Sequence, residues 1–217
     1  MGLAMTMEER MSPDPTDQKI LVHICCAPCA EYPLRILADE GFSLHGFFYN
    51  PNIHPAEEHR RRMEGVQTLA DLRELPMAYD NEILQSVWEI AEDRAVGRMC
   101  SACYALRMRR VAEFTRSVGL TYFTSTLLVS PYQQHDKIRE AAECAAYEAG
   151  VRFLYRDFRP GFRMGQEMAR IDGLYRQKYC GCVDSLESSR FRDRIYREHE
   201  AMRDLSAGPE SSDGSHR

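Results

Sequence analysis

Residues 20–29, ILVHICCAPC, place a short β-branched run directly before three cysteines. The run at residues 20–24 has the composition of a buried strand. Pro28 favours a turn or a first helical position, so the cysteines are predicted to lie in a strand-to-helix loop. They are Cys25, Cys26 and Cys29. Backbone amides at a helix N-terminus favour thiolate, which is the form of cysteine that ligates metal.

Outward from this loop, strand patterns alternate with helix patterns. Strands are predicted at 44–49, 76–79, 122–129 and 151–158, and helices at 54–75, 83–96, 105–118, 135–149, 165–178 and 183–203, besides a first helical stretch that ends at Gly41. This alternation predicts an α/β fold with a mostly parallel sheet, helices on both faces and additional C-terminal helices. In such sheets ligands bind beyond the carboxyl ends of the strands.

Length and composition predict one domain with two tails. The chain has 217 residues, and we expect a single α/β domain at 19–205 between disordered tails at 1–18 and 206–217. The first residues lack the apolar segment of a secretory signal, and no apolar run approaches the roughly 20 residues of a membrane span. We therefore expect a cytoplasmic protein with reduced thiols. The net charge of −5 argues against a general nucleic-acid coat protein.

The eight cysteines need an explanation other than structural disulfides, because a chain of this length can bury a core without them. Cys100 and Cys103 form a Cys-x-x-Cys unit between two predicted helices, a spacing that zinc and iron–sulfur sites use. Cys180 and Cys182 flank a single glycine and suit either ligation or electron relay. Cys144 is predicted to be a small buried residue of an alanine-rich helix.

Seven clustered thiols exceed the number that one metal site needs, which is about four for a zinc ion or a four-iron cluster. The surplus indicates a second metal or a redox-active pair. A closed zinc site with spare thiols stays open at this point, because spacing alone does not assign each cysteine.

Five stretches together resemble the non-cobalamin epoxyqueuosine reductase family. They are CCAPC at 25–29, FFYNPNIHP at 47–55, CSACY at 100–104, TSTLLVSPYQ at 124–133 and YCGC at 179–182. The resemblance covers roughly residues 19–200. It implies a Rossmann-like fold of the nucleotide-hydrolase type. It also implies the last step of queuosine biosynthesis, in which epoxyqueuosine at the wobble position of a tRNA anticodon is reduced to queuosine.

The resemblance also implies cofactors and site residues. Family members carry a [4Fe-4S] cluster and take electrons from an external donor, for which a ferredoxin-like or flavodoxin-like protein is a candidate. By matching motifs, the cluster ligands would be Cys25, Cys26, Cys100 and Cys103, and the catalytic redox-active pair would be Cys180 and Cys182. Cys29 would hold an additional mononuclear iron or support the cluster.

The candidate substrate-binding residues are Tyr49, His54, Tyr132, Arg60 and Arg61. Aromatic rings at strand ends can hold an unstacked base of the anticodon loop, and arginines can hold its phosphates. The departing epoxide oxygen needs either a Lewis acid, for which an iron with an open position is a candidate, or a proton donor. The candidate proton donors are His23, His54, Tyr104 and Tyr179. Each of these residues can equally have a structural role, and the arginines can be a solvated helix face.

Two other functions are compatible with the cysteine pattern. A tRNA thiolation enzyme of the ATP-pyrophosphatase type also joins a Rossmann-like sheet to Cys-x-x-Cys units. It would need a glycine-rich phosphate loop after the first strand, where this chain has CCAPC. A zinc-stabilised binding module without catalysis would hold one tightly bound zinc and unfold with a chelator.

Overall fold

Five parallel strands form one sheet in the part of the chain that the structure describes. The structure is a computed structural model, and it describes residues 19–84 and 98–206. The strands are β1 (Lys19–Ile24), β2 (Ser43–Tyr49), β3 (Met77–Asp80), β4 (Tyr122–Ser125) and β5 (Arg152–Phe153). They pair in the order β3-β2-β1-β4-β5, and every pairing is parallel. This order is that of a doubly wound sheet with its switch point between β1 and β4, and it confirms the predicted α/β class.

Helices cover the sheet in two groups. They are α1 (Ala27–Asp39), α2 (Ala56–Arg73), α3 (Arg98–Ser117), α4 (His135–Ala149), α5 (Phe162–Ile171), α6 (Val183–Glu187) and α7 (Arg192–Ser206). Right-handed crossovers place α1 and α2 on one face and α3 and α4 on the other, because the chain reverses its direction along the sheet after β3. The packing agrees, since α3 lies against α4 while α1 lies against α5 and α2. None of these helices is both long and apolar enough to cross a membrane.

The centre of the core is β1, which is buried from residue 20 to residue 24 between its two neighbours β2 and β4. A strand covered on both faces is expected to be a continuous apolar run, as this one is. His23 is the polar exception. Its Nε2 donates to the Tyr49 carbonyl at 3.0 Å, and its Nδ1 accepts from the Ser125 hydroxyl at 2.8 Å. Burial, together with the charge of Arg107, lowers the pKa of His23 to about 4.

His23 is therefore a neutral residue that ties three neighbouring strands together. Both ring nitrogens form hydrogen bonds within the protein, so His23 is not placed to act as the predicted proton donor. A histidine with this environment is a structural residue.

Gly46 of β2 leaves room for a side chain of the neighbouring strand β3. A Cβ atom at Gly46 would lie 1.9 Å from the Met77 sulfur and 3.1 Å from the Ile24 side chain. A larger residue would therefore require the flexible Met77 side chain to move.

Two predicted strands are shorter than the sequence indicates. The stretch 122–129 is a strand only over β4, after which Thr126–Val129 forms a 3-10 helix that begins with the Ser125 hydroxyl accepting from the Leu127 amide. The stretch 151–158 pairs only over β5, and a 3-10 helix follows at Arg159–Gly161. Side-chain composition does not reveal where pairing ends, because pairing depends on the length of the neighbouring strand.

Several helix boundaries also differ. The helix predicted at 105–118 begins at Arg98, so Cys100 and Cys103 lie within its first turns and not between two helices. The helix predicted at 165–178 ends at Ile171, and the one predicted at 183–203 is divided into α6 and α7. The helix predicted at 83–96 and the two predicted tails lie outside the described residues, apart from the first residues of that helix and Ser206.

Cys144 is exposed, and the prediction that it is buried was wrong. The buried face of α4 contains Ile138, Ala142, Ala145 and Ala146. Residue 144 lies two positions after Ala142, which turns it toward solvent. Its thiol donates a hydrogen bond to Glu148 at 3.6 Å. The alanines around it in the sequence therefore belong to another side of the helix.

Candidate active site

Three thiols meet where β1 ends and α1 begins. Cys25, Cys26 and Cys29 are buried, and their sulfur atoms all lie within 4.8 Å of one another. Among the described residues, this is the one group of three or more His, Cys, Asp or Glu ligand atoms at that spacing. The sulfurs lie at the carboxyl end of the central strand, beside the switch point, where doubly wound sheets bind their ligands.

The three thiols of this triad differ in the direction in which their pKa values are shifted. Hydrogen bonds from Cys26 and Cys29 hold the pKa of Cys25 well below its usual value. Burial raises the pKa of Cys26, and the hydrogen bond to Cys25 raises the pKa of Cys29. The arrangement thus favours one thiolate, which two neutral thiols stabilise. A metal ion would require further thiols to lose their protons.

Polar side chains from distant parts of the chain donate hydrogen bonds to these sulfurs. The Thr126 hydroxyl donates to the Cys25 sulfur at 3.3 Å. The Gln177 amide donates to the Cys26 sulfur at 2.7 Å and lies 3.8 Å from the Cys29 sulfur. Donors of this kind stabilise sulfur in its negatively charged form.

The second cysteine group lies on α3. Cys100 and Cys103 are half-buried and three residues apart, so both sulfurs are on the same face of the helix. The Asn52 amide donates to the Cys103 sulfur at 3.1 Å. Burial raises the pKa of Cys100, and the thiols of Cys182 and Cys103 raise it further. Cys100 and Cys103 therefore lie near Cys182 of the third group.

The third group is the turn Cys180-Gly181-Cys182. Cys180 is exposed and Cys182 is half-buried. The hydrogen bond with Cys182, with a further bond from the Gln133 amide at 3.3 Å, lowers the pKa of Cys180 to about 7. The same hydrogen bond between the two thiols raises the pKa of Cys182. The two thiols thus form an unequal pair, of which Cys180 is the more easily ionised.

Gly181 has a conformation and surroundings that exclude a side chain. Its φ is +126°, and a Cβ atom would lie 2.9 Å from the Arg62 guanidinium. Its carbonyl accepts from the His54 amide at 2.7 Å. The turn is therefore docked against α2 and the loop before it.

The Arg62 side chain binds the backbone of this turn. Its guanidinium donates to the Cys180 carbonyl at 2.7 Å and to the Tyr179 carbonyl at 3.0 Å. The same group forms a buried ion pair with Glu58 at 2.8 Å. The other Glu58 oxygen accepts from the Tyr175 hydroxyl at 2.7 Å.

The Glu58 carboxylate is held in its charged form. Burial alone would raise its pKa, but His199, Arg62 and Tyr175 outweigh that effect and lower the pKa of Glu58 to about 2. His199 Nε2 lies 3.6 Å from the carboxylate. The arginine and the carboxylate therefore neutralise each other within the protein.

Arg107 is the other buried arginine beside the sulfurs. It donates to the side-chain oxygens of Asn50 and, at 2.6 Å, Asn52. These bonds link α3 to the loop after β2, whose Asn50 amide in turn donates to the Ile24 carbonyl at 3.1 Å. Asn52 thus lies between Arg107 and Cys103 and contacts both.

The three cysteine groups therefore converge on one region, as the sequence predicted. The contacts that connect them run through Asn52, Gln133, Gln177, Arg62 and Arg107. The triad Cys25, Cys26 and Cys29 forms the most compact set of sulfurs, whereas Cys100 and Cys103 lie apart from that triad. The ligand set Cys25, Cys26, Cys100 and Cys103 remains a prediction.

The five predicted substrate-binding residues differ in their surroundings. Tyr49 is buried and donates through its hydroxyl to Glu82 at 2.8 Å, and His54 is buried beside the Asn52 carbonyl. Arg60 is exposed and pairs with Glu57 and Glu64.

The other two substrate candidates both contact an aromatic ring. Arg61 lies over the Tyr175 ring, 4.1 Å from its centroid, and pairs with Glu198. Tyr132 is 84% exposed, with its ring against the edge of Phe162. Of the five, Tyr132 offers the most open aromatic surface.

Sequence reasoning missed several residues of this site. Arg107 lies four residues after Cys103, which is one helical turn, but the predicted helix began at residue 105 and left Cys103 outside, so this spacing gave no signal. Arg62 lies four residues after Glu58 and has the same spacing within a run of three arginines. Gln177 gave no local signal, because it is 151 positions away from the thiol that it contacts.

The sequence is similar to known proteins over most of its length. Residues 20–188 match the family model described as epoxyqueuosine reductase QueH. A protein of that name from Dehalococcoides mccartyi is 36% identical over 178 residues, which are 80% of this chain and 94% of that protein. Its counterpart from Thermotoga maritima is 33% identical, over 77% of this chain and 90% of that protein. The protein of that name from Acinetobacter baylyi is 30% identical, over 84% of this chain and 89% of that protein. The chain belongs to the epoxyqueuosine reductase QueH family.

Proposed function

We propose that this chain reduces epoxyqueuosine in tRNA to queuosine, with electrons that pass through its sulfur site. The observation that carries the proposal is the convergence of thiols from the start, middle and end of the chain at the carboxyl edge of the sheet. The relatives named above bear the name of this activity, which makes the chain an oxidoreductase. A structural zinc site would need fewer thiols than converge here.

The proposed reaction balances with the thiols that are present. Loss of the epoxide oxygen as water, with formation of the alkene, takes two electrons and two protons. Oxidation of Cys180 and Cys182 to a disulfide supplies two electrons, and their thiols supply two protons, of which one comes by way of solvent when Cys180 is a thiolate. The lowered pKa of Cys180, about 7, makes its thiolate available at neutral pH. An external donor, ferredoxin-like or flavodoxin-like, would then reduce the disulfide again.

The donor set suits a thiolate-bound iron cofactor. Sulfur ligands are the ones that iron–sulfur clusters use, and the triad presents three of them at close spacing. We propose that Cys25, Cys26, Cys100 and Cys103 hold a [4Fe-4S] cluster and that Cys29 holds an additional iron. Such a cluster would supply electrons one at a time.

The protein would support this cofactor through hydrogen bonds to its ligands. Thr126, Gln177 and Asn52 donate to the sulfurs of Cys25, Cys26 and Cys103, respectively. Bonds of this kind stabilise thiolate and set the potential of a bound cluster.

We propose that the modified base of a tRNA anticodon loop reaches this site past Tyr132. The ring is exposed, and the next residue, Gln133, contacts the Cys180 sulfur. An open aromatic face at the mouth of a site can stack on an unpaired base. Tyr49, His54, Arg60 and Arg61 are less available, because each is buried or already paired. A cytoplasmic location, where tRNA is modified, stays a prediction.

Anaerobic turnover tests the proposed activity. Chain purified without oxygen is incubated with tRNA that contains epoxyqueuosine and a chemical reductant, and the nucleosides are analysed by mass spectrometry. We expect queuosine to form, and the purified chain to be brown with about four irons or more. A colourless chain that contains zinc after iron-replete anaerobic preparation, with no queuosine formed, would refute the proposal.

Cysteine variants provide the matched comparison. Cys180→Ser and Cys182→Ser should abolish turnover while leaving the iron content unchanged. Cys144→Ser should leave both unchanged, because Cys144 is an exposed thiol on the outer side of α4. Equal activity in all three variants would exclude the redox-active pair.

A further inference from the structure

A buried positive charge without a carboxylate partner lies at the centre of the sulfur site. Arg107 is 6% exposed, and within the described ranges no carboxylate oxygen lies within ion-pair distance of its guanidinium. Its bonds go to two neutral amide oxygens, those of Asn50 and Asn52, and its Nε has no hydrogen-bond partner there. Burial of a charge is costly unless another charge compensates it.

The contacts of Arg107 lead to sulfur. The Asn52 side-chain oxygen accepts from the guanidinium, and the Asn52 amide donates to the Cys103 sulfur at 3.1 Å. His54, two residues after Asn52, donates its backbone amide at 2.7 Å to the carbonyl of Gly181, the residue between Cys180 and Cys182. Burial lowers the pKa of Arg107, but nearby thiols outweigh that effect and raise the pKa above its usual value. The charge of Arg107 therefore lies beside sulfur and is not neutralised by a carboxylate in the described part of the chain.

We propose that Arg107 is the permanent counter-charge of the sulfur site and a positioning residue that favours the reduced, thiolate form of the Cys180–Cys182 pair. This inference rests on the proposed function, in which the pair alternates between dithiol and disulfide. Reduction of the disulfide takes two electrons and leaves a thiolate at neutral pH, so the site becomes more negative. A fixed cation nearby stabilises that state, as a stabilised reduced form does in other dithiol pairs.

The experiment is a redox titration of the pair in the full-length chain. The chain is equilibrated anaerobically with glutathione or dithiothreitol buffers, free thiols are trapped with maleimide, and the fraction of oxidised Cys180–Cys182 is read by mass spectrometry. Arg107→Gln removes the charge. We expect it to shift the equilibrium about tenfold toward disulfide, which corresponds to about 30 mV for two electrons.

Three further variants separate charge from structure. Arg107→Lys keeps the charge and should stay within about twofold of the wild type in the equilibrium constant. Asn50→Asp keeps Arg107 but gives it a carboxylate partner, so it should shift the equilibrium in the same direction as Arg107→Gln. Arg116→Gln removes an exposed arginine near the other end of α3 and should cause no shift.

Each result decides the matter. If Arg107→Gln and Asn50→Asp both match Arg116→Gln, the counter-charge role is wrong while the proposed redox pair stands. If Arg107→Lys shifts as far as Arg107→Gln, charge is not the cause and the role is again wrong. If Arg107→Gln does not fold, Asn50→Asp decides in its place, because it keeps the arginine. A wild-type chain without any reversible couple refutes the redox pair, and this role with it.

Discussion

Arg62 and Arg107 are both buried beside the sulfur site, but their surroundings differ in one respect. Arg62 has the Glu58 carboxylate at 2.8 Å, and this ion pair holds the backbone of the Cys180-Gly181-Cys182 turn. Arg107 is bound to neutral amides, one of which, Asn52, donates in turn to the Cys103 sulfur. The first arginine therefore supplies geometry, since its charge is already neutralised. The second keeps its charge beside the sulfurs, since its hydrogen-bond partners are neutral amides.

The largest effect should follow from removing the partner of Arg62. Glu58→Gln leaves a buried guanidinium without its carboxylate and should lower the free energy of unfolding by about 3–5 kcal/mol at neutral pH. Urea denaturation measures this loss. Glu64→Gln removes an exposed partner of Arg60 and should cost about 1 kcal/mol or less. Similar losses in the two variants would contradict the distinct role of the buried pair.

The same pair gives a pH dependence with a defined sign. The folded pKa of Glu58 is about 2, below its ordinary value of 4.5, so the charged form contributes stability above pH 4.5. That contribution is lost as the pH falls from 4.5 toward 2. The difference in stability between the wild type and Glu58→Gln should therefore shrink in that window. A difference that stays constant there would argue against a lowered pKa.

A smaller loss should follow from Arg62→Lys. An ammonium group carries its three donors on one nitrogen, so it does not reproduce the three nitrogens of the guanidinium that bind Glu58 and two carbonyls. We expect a loss of about 1.5–3 kcal/mol in the free energy of unfolding. Arg60→Lys, on the exposed side of α2, should change it by about 0.5 kcal/mol or less. Arg107→Lys, in contrast, is expected to preserve the redox equilibrium of Cys180 and Cys182. The two lysine variants therefore distinguish an arginine that is needed for its geometry, Arg62, from one that is needed for its charge, Arg107.

Thiol labelling compares an ionised cysteine with an ordinary one in the same chain. The pKa of Cys180 is about 7, so its alkylation rate should rise about tenfold between roughly pH 6 and roughly pH 8 and then level off. Glu148 raises the pKa of the exposed Cys144, whose rate should still be rising above pH 8. Peptide mapping by mass spectrometry gives both rates in one sample. Parallel profiles would refute the lowered pKa of Cys180.

The smallest effect concerns the hydrogen bond that orients Gln133. The Tyr104 hydroxyl donates to the Gln133 side-chain oxygen at 2.7 Å, which turns its amide toward the Cys180 sulfur. Tyr104→Phe frees the amide, and the loss of one bond should slow the labelling of Cys180 at neutral pH by about two- to tenfold. Tyr147→Phe, on an exposed residue of α4, should have no effect. Unchanged labelling in Tyr104→Phe would show that Gln133 does not depend on Tyr104.

Much of the site could be predicted because the relevant signals are local. The loop at 25–29 follows a recognisable strand, and Cys100 and Cys103 have the spacing that metal sites use, although the structure places them inside a helix and not between two. Tyr49 was harder, because its position at a strand end said nothing about its hydroxyl being bound to Glu82 and its ring being covered. Cys144 was misplaced because an alanine-rich segment does not show which side of its helix faces the core.

The sequence by itself determined the alternation of strands and helices and the existence of three separate cysteine groups. It also determined the end of α4, which Gly150 caps. These features depend on residues that are neighbours in the chain. Only the tertiary structure decided which of three adjacent arginines is buried, which amide contacts which sulfur, and that Arg107 lacks a carboxylate partner in the described part of the chain. Those outcomes depend on contacts such as Gln177 with Cys26, which residue spacing does not encode because folding brings the two together over 151 positions.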